Sequence, residues 1–387
     1  MDENLLVPTE IFREKIRVYA NSQREHHREC SRDSLRFGLG EIKERVQFLD
    51  NLNERDVLGL AKRIKRRKRA TPEDMYRLSH AFLQDLENIK VFNKTPGALQ
   101  ILIKELTGKS SECQISAAEC LCNFSLGDAP VCEKIASLAG SYLVTYLHSS
   151  EIQLVRLCLW TLANILATSS KGAQTCLQMQ LIPQLWKLYI GDEIADNLMD
   201  YKEDSAICLQ IISLNYASIL NEKDMEFLLQ HANEKNPTCL PNEYHLQIIF
   251  QIFFNQEEIV ANFPENLTTY LISYSLSNIN NTAELSGVKE NLMVLYAIRI
   301  LGNILACVPS SYTKLLQELS SVYQINLTGF LNKLFSYKSS PIILEILWFL
   351  KNILRQEESD TTFDINLLDK LQIKRETVVQ QLMQKSG

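Results

Sequence analysis

Four asparagines mark the chemistry this sequence suggests. Asn164 follows Trp160 by four residues in "LCLWTLANIL", and Asn352 follows Trp348 by four in "PIILEILWFLKNIL". Two further pairs keep the spacing with another residue in the tryptophan's place: Glu119 with Asn123, and Arg299 with Asn303. Arg156 stands one turn before Trp160, so Arg156, Trp160 and Asn164 form a narrow stripe on an otherwise apolar helix. An indole face holds a cation at about 0.5–2 kcal/mol and buries Lys or Arg stems well. An amide one turn away offers both a donor and an acceptor, which suits an extended backbone. The chemistry is therefore non-covalent recognition of a basic peptide in a groove. The competing structural role is that Trp160 and Trp348 pack between repeats while the asparagines satisfy backbone groups.

Elements that could position such a stripe must recur, and they do. Asn123 and Asn164 are 41 residues apart, and Asn303 and Asn352 are 49 apart. The 139 residues between Asn164 and Asn303 make room for three units of about 40–47 residues, the period of armadillo and HEAT repeats. Helices around Ser218 and Asn255 are weaker candidates for the missing copies, with an acidic insert over 191–204 stretching the third unit. The expectation is an all-α, right-handed armadillo/HEAT-like solenoid of about six repeats. Its 387 residues exceed one ordinary core, and only 13 Gly and 10 Pro argue against a many-turned β fold.

Composition narrows the function classes. A hydrophobic share of 46% with 22% charged residues is that of a folded soluble protein. The acidic N-terminus has no continuous apolar stretch, so no signal peptide is read. The apolar runs at 246–254 and 292–308 are too short or too interrupted for a membrane span. Ten cysteines then read as thiols in a reducing compartment, with Cys120, Cys122, Cys158, Cys208 and Cys307 as small buried hydrophobes. No Gly-rich phosphate loop, nucleophile elbow or metal-ligand spacing is present, so no enzyme, metal or cofactor is expected.

Charge is unevenly placed. Residues 1–70 hold 17 Lys+Arg against 12 Asp+Glu, while the rest hold 23 against 34. The cluster Lys62, Arg63, Lys65, Arg66, Arg67, Lys68 and Arg69 suggests a nuclear localisation patch, a nucleic-acid patch, or a segment made for an acidic groove. The acidic body repels phosphates, so nucleic acid is not the expected partner. Thr71-Pro72-Glu73-Asp74 is a helix start, with Thr at the cap and Pro first in the helix. Three regions follow: a charged, basic helical segment over 1–70, a repeat solenoid over 71–355, and a polar break with a capping helix over 356–387.

The segments "PGALQILIKELTGKSSECQISAAECLCNFSLGD" and "SSEIQLVRLCLWTLANILATS" resemble successive armadillo repeats. The Trp-x-x-x-Asn pattern at Trp160/Asn164 and Trp348/Asn352 resembles the importin-α group. The wording "LAGSYLVTYLHSSEIQLVRLCLWTLANIL" is closer still to the transmembrane and coiled-coil domain-containing protein 6 family, an importin-α relative. The resemblance implies that Trp side chains sandwich Lys or Arg stems of a nuclear localisation signal. It implies that Asn side chains bind the peptide backbone, and that a basic N-terminal segment binds importin-β. Arg299 with Asn303 matches a family variant with Arg in the tryptophan's place, whereas Glu119 departs from the pattern. The expected protein is a monomeric adaptor of cytoplasm and nucleus for proteins with Lys/Arg-rich signals, a nuclear import signal receptor. The alternative is a structural interaction scaffold with no cargo-import role.

Overall fold

The computed structural model describes residues 52–190, 199–216, 288–308, 310–336 and 340–357, with single residues such as Lys15, Ile16 and Phe250 besides. The chain forms two compact units, residues 1–212 and 213–387. The sequence expectations at Ser218, at Asn255, over most of 1–50 and over the final helix lie outside the described residues.

The described elements of the first unit are helices: α1 (Glu54–Arg67), α2 (Pro72–Gln84), α3 (Leu86–Asn93), α4 (Ala98–Leu106), α5 (Ser111–Phe124), α6 (Ala129–Tyr146), α7 (Ile152–Thr168), α8 (Ser170–Leu177), α9 (Leu181–Ile190) and most of α10 (Met199–Tyr216), whose last four residues fall past the boundary. Short polar residues start many of them, because the first N–H groups of a helix have no partner within it. Thr71 accepts from the Asp74 N–H while Asp74 accepts from Thr71, a reciprocal cap with Pro72 at the first position, as the sequence predicts. Asn53 and Asp56 close the same box on α1, and Ser110, Asp128 and Ser169 cap α5, α6 and α8.

Packing follows an armadillo-like order of two shorter helices, sometimes fused, and a longer third. α3, α4 and α5 make one such triplet, α6 and α7 the next, and α8, α9 and α10 another. The long helices stack in series, α5 on α2 and α7 on α5. Phe82, Phe92 and Phe124 close the core beneath α2, α3 and α5, with centroids 5.2–5.3 Å apart. α7 is buried on nearly all sides from Leu154 to Leu166, which its broad apolar surface requires.

α1 joins this stack through its apolar stripe of Val57, Leu60, Ala61 and Ile64, packed on α3, α4 and α2. Its opposite face turns Lys62, Lys65, Arg66 and Arg67 to solvent, and Lys68 and Arg69 beyond its end are exposed too. Arg63 alone of the cluster turns inward, paired with the buried carboxylate of Asp74.

The described helices of the second unit are α11 (Val288–Cys307), α12 (Ser310–Ser321), α13 (Leu327–Leu334) and α14 (Ser340–Glu357). The long α14 packs on the long α11, with the short α12 and α13 between them in sequence. Phe330 and Phe349 lock α13 to α14, 6.3 Å apart and edge-on. Both units have the all-α packing of an armadillo/HEAT-like solenoid.

Two local expectations are corrected. The acidic insert over 191–204 ends earlier than the sequence suggests, because Met199–Asp204 are the first turns of α10. Cys307 is exposed at the end of α11, whereas Cys113, Cys120, Cys122, Cys132, Cys158, Cys176 and Cys208 are buried thiols. Position explains Cys307: it is the last residue of α11, two past Leu305, where the helix's buried face ends.

Candidate peptide-binding face

The long third helices position every side chain predicted for the groove. In the first unit, Glu119 and Asn123 lie on α5, and Arg156, Trp160 and Asn164 lie on α7. In the second unit, Arg299 and Asn303 lie on α11, and Trp348 and Asn352 on α14. Each unit therefore carries its own candidate face.

The asparagines reach back to the preceding long helix. The Asn123 amide donates to the Ser79 hydroxyl at 2.6 Å and the Ser79 carbonyl at 3.3 Å on α2. Asn164 donates to the Ser125 hydroxyl at 2.8 Å, just beyond α5. Asn352 donates to the Gly302 carbonyl at 3.2 Å on α11. All three asparagines are buried, and these bonds satisfy groups that would otherwise be costly there. Asn303 is half-buried, and its amide nitrogen has no hydrogen-bond partner among the described residues.

The positions one turn earlier differ. Trp160 is only 4% exposed, and its indole N–H donates to Asp204 on α10 at 2.7 Å. Trp348 is half-buried with its ring against the Gly302 backbone, where a Cβ would sit 2.9 Å from Cε3 and Cη2 and nearer still to Cζ3. Glycine is needed at 302 because the ring occupies the space of a side chain. Glu119 is half-buried and accepts from the Ser79 hydroxyl at 3.4 Å. Burial pushes its carboxyl above the usual carboxylate range, and the Ser79 hydrogen bond offsets this only in part. Arg299 pairs with Glu345 of α14 at 2.6 Å and stands 5.6 Å over the Phe250 ring. Arg156 is half-buried on α7.

Several residues of the face escaped the sequence reading. Asp204 is 2% exposed and receives two donors: the Trp160 indole on Oδ2, and the Lys15 ammonium on Oδ1 at 2.6 Å. Lys15 also meets Glu203 at 3.2 Å, and the next residue, Ile16, is buried. Burial alone favours the neutral forms of such a pair, but the carboxylates hold the ammonium charged and above its ordinary range. Ser79, Ser125 and Glu345 are the other partners missed. The available signal was distance in sequence: Asp204 follows Trp160 by 44 residues and Glu345 follows Arg299 by 46, about one repeat each.

The arrangement can hold cations beside aromatic rings without making or breaking covalent bonds. Among the described residues no group of His, Cys, Asp and Glu could hold a metal ion, and no helix is long and apolar enough to cross a membrane.

No family model matches the chain. Among solved structures, it is similar to an engineered protein at 18% identity and a TM-score of 0.56, covering 84% of this chain and 76% of that one. It is also similar to a structure from work on the phosphorylation switch that controls the interaction between cadherin and beta-catenin. That match has 14% identity and a TM-score of 0.54, over 76% of this chain and 53% of that one. A computationally designed armadillo repeat protein for modular peptide recognition matches at 15% identity and a TM-score of 0.42, over 76% and 99%. At these identities the likeness concerns the fold alone.

Proposed function

We propose that the chain is a protein-binding adaptor whose stacked third helices take basic peptide segments, in the first unit on the face bearing Trp160 and Asn164 and in the second on the face bearing Arg299, Asn303, Trp348 and Asn352. The observation that carries this reading is that the face in each unit already seats a cation. A lysine ammonium sits on the carboxylate that also holds the Trp160 indole, and a guanidinium stands over Phe250 against Glu345. A side chain from a partner would meet the same chemistry: an aromatic surface, a carboxylate and little water. The finer form is a nuclear import signal receptor for proteins with Lys/Arg-rich signals. In that form the exposed cations of α1 meet importin-β, and the protein works between cytoplasm and nucleus.

A second reading, a structural interaction scaffold without a cargo role, is favoured by a different observation. Asn123, Asn164 and Asn352 spend amide N–H groups on the preceding helix, which leaves fewer donors for a peptide backbone. The two readings separate in one titration. A fluorescent Lys/Arg-rich peptide, followed by anisotropy, binds the adaptor and weakens as salt rises, because exposed charges are screened. Trp160→Phe retains the ring and loses the N–H bond to Asp204, so it tests the face with less harm to the core than truncation. Absence of measurable peptide affinity at low salt rejects the adaptor reading. A pull-down with importin-β tests the finer form, and failure of the intact chain to retain it removes that form.

A further inference from the structure

We propose that the solvent face of α1 is a docking surface for the phosphate backbone of duplex nucleic acid, bound without regard to base sequence. The inference stands apart from the peptide-binding faces and uses none of their residues.

The face is a dense array of uncompensated charge. Lys62, Lys65, Arg66, Arg67, Lys68 and Arg69 are all exposed, and none of the six makes an ion pair among the described residues. Lys62, Lys65 and Arg66 fall within about 100° of one another around the helix, opposite the stripe of Val57, Leu60, Ala61 and Ile64. A seventh cation joins from α4, where exposed Lys104 donates to the Lys68 carbonyl at 3.1 Å. The array is fixed in place, because the apolar stripe is buried on α2, α3 and α4 and Arg63 is tied to buried Asp74. Acidic residues packed behind α1 repel phosphates, but a helix about 10 Å thick separates them from this face. That is about one Debye length, so most of their repulsion is screened.

What the face lacks selects the partner. Every exposed residue from 62 to 69 is a cation. The core of a protein–protein interface is apolar, and this stretch has no exposed apolar side chain to offer one. A helix holds a bilayer through apolar side chains as well as charge, and those of α1 are spent inside the fold. Single strands are held by bases stacked on aromatic rings, and no Phe, Tyr or Trp occurs from 51 to 75. A duplex asks only for cations, because its phosphates line the outside of the rod. With 14 residues, α1 is about 21 Å long, enough to lie beside several phosphates.

The test uses the full chain and fluorescein-labelled DNA duplexes of roughly two helical turns, in two unrelated sequences, followed by anisotropy. Both should bind alike. With about four phosphates neutralised, log affinity should fall against log salt with a slope of about −3.6. Lys62→Ala combined with Arg66→Ala should weaken binding about tenfold and make the slope shallower by about 2. Lys171→Ala, which removes a 79% exposed lysine of α8, should change neither. Far-ultraviolet circular dichroism verifies that the variants are folded. No binding at low salt, or binding that survives the paired change on α1, overturns the docking surface. A marked preference for one sequence, or tighter binding of the single strand, overturns the backbone reading. Tighter binding to phosphatidylserine vesicles or to polyglutamate in the same salt gives the face to a membrane or an acidic protein and overturns the duplex.

Discussion

Gly302→Ala offers a direct measure of how Trp348 is held. Replacing glycine by alanine inside a helix normally stabilises it by about 0.8–1.0 kcal/mol. Here the new methyl would meet the Trp348 ring with two atoms at 2.9 Å and a third nearer, well inside the roughly 3.5–4.0 Å of ordinary carbon contacts. Forcing an added methyl into a packed contact costs about 1–3 kcal/mol. If the ring swings away, Asn352 also loses some of its hold on the Gly302 carbonyl, for about 0.5–1.5 kcal/mol more. The clash outweighs the propensity gain, and net destabilisation of about 1–2 kcal/mol is expected. Hydrogen exchange read by mass spectrometry localises the effect. Peptides from 288–308 and 340–357 should exchange about 5–30 times faster, while those from 152–168 are unchanged. Trp348→Leu in the Gly302→Ala background should restore much of the protection, since the smaller side chain leaves room for the methyl. Slower exchange in Gly302→Ala alone would mean that the ring does not cover this backbone, and the reasoning fails.

Other expectations can be measured alongside. Arg63→Ala should cost about 2–3 kcal/mol in urea unfolding, because it strands the buried Asp74 carboxylate, while Lys62→Ala on the solvent side should stay within about 0.5 kcal/mol. Trp160→Phe should cost about 1–3 kcal/mol by removing one of the two donors on Asp204. Glu119 keeps its proton to higher pH when folded than when unfolded, so its contribution is fully present below the unfolded pKa and is lost as pH rises through the folded value. Glu119→Gln should therefore flatten that part of the stability profile and raise stability at pH 7, as followed by thermal melts. Alkylation by iodoacetamide should mark Cys307 first among the described cysteines. Cys132 and Cys176, whose thiols burial pushes up to about 12, should react only on unfolding.

What the sequence revealed was whatever depends on local pattern. The cap at Thr71, the apolar surround of α7 and the repeat spacing of the asparagines are set by residues within a turn or a repeat of one another. What it hid depends on partners far away along the chain. Trp160 shows its spacing to Asn164 in the sequence, but not that its N–H is spent on Asp204. Asp204 resembles part of an acidic insert in the sequence because Glu203 and Asp204 are both acidic, and burial on a helix overrides that impression. The basic cluster looked uniform, yet the helical period of α1 turns Arg63 to the buried Asp74 and leaves its neighbours in water. Periodicity indicated that Cys307 belongs to an apolar helix, but not that it lies past the helix's covered end.

The bonds from each asparagine to the preceding long helix have a consequence for how the chain tolerates changes in length. Asn123 and Ser79 are 44 residues apart, Asn164 and Ser125 are 39 apart, and Asn352 and Gly302 are 50 apart, yet each joins successive long helices. The eleven-residue spread is absorbed by the shorter helices and the turns between these anchor points. An insertion at Ser149–Glu151 should therefore be nearly silent for stability. One residue added inside α7 between Leu157 and Asn164 would rotate everything beyond it by about 100° and pull Asn164 off Ser125. Deletion and insertion scanning would then trace out the long helices as intolerant blocks separated by permissive gaps, a map of the architecture obtained without coordinates.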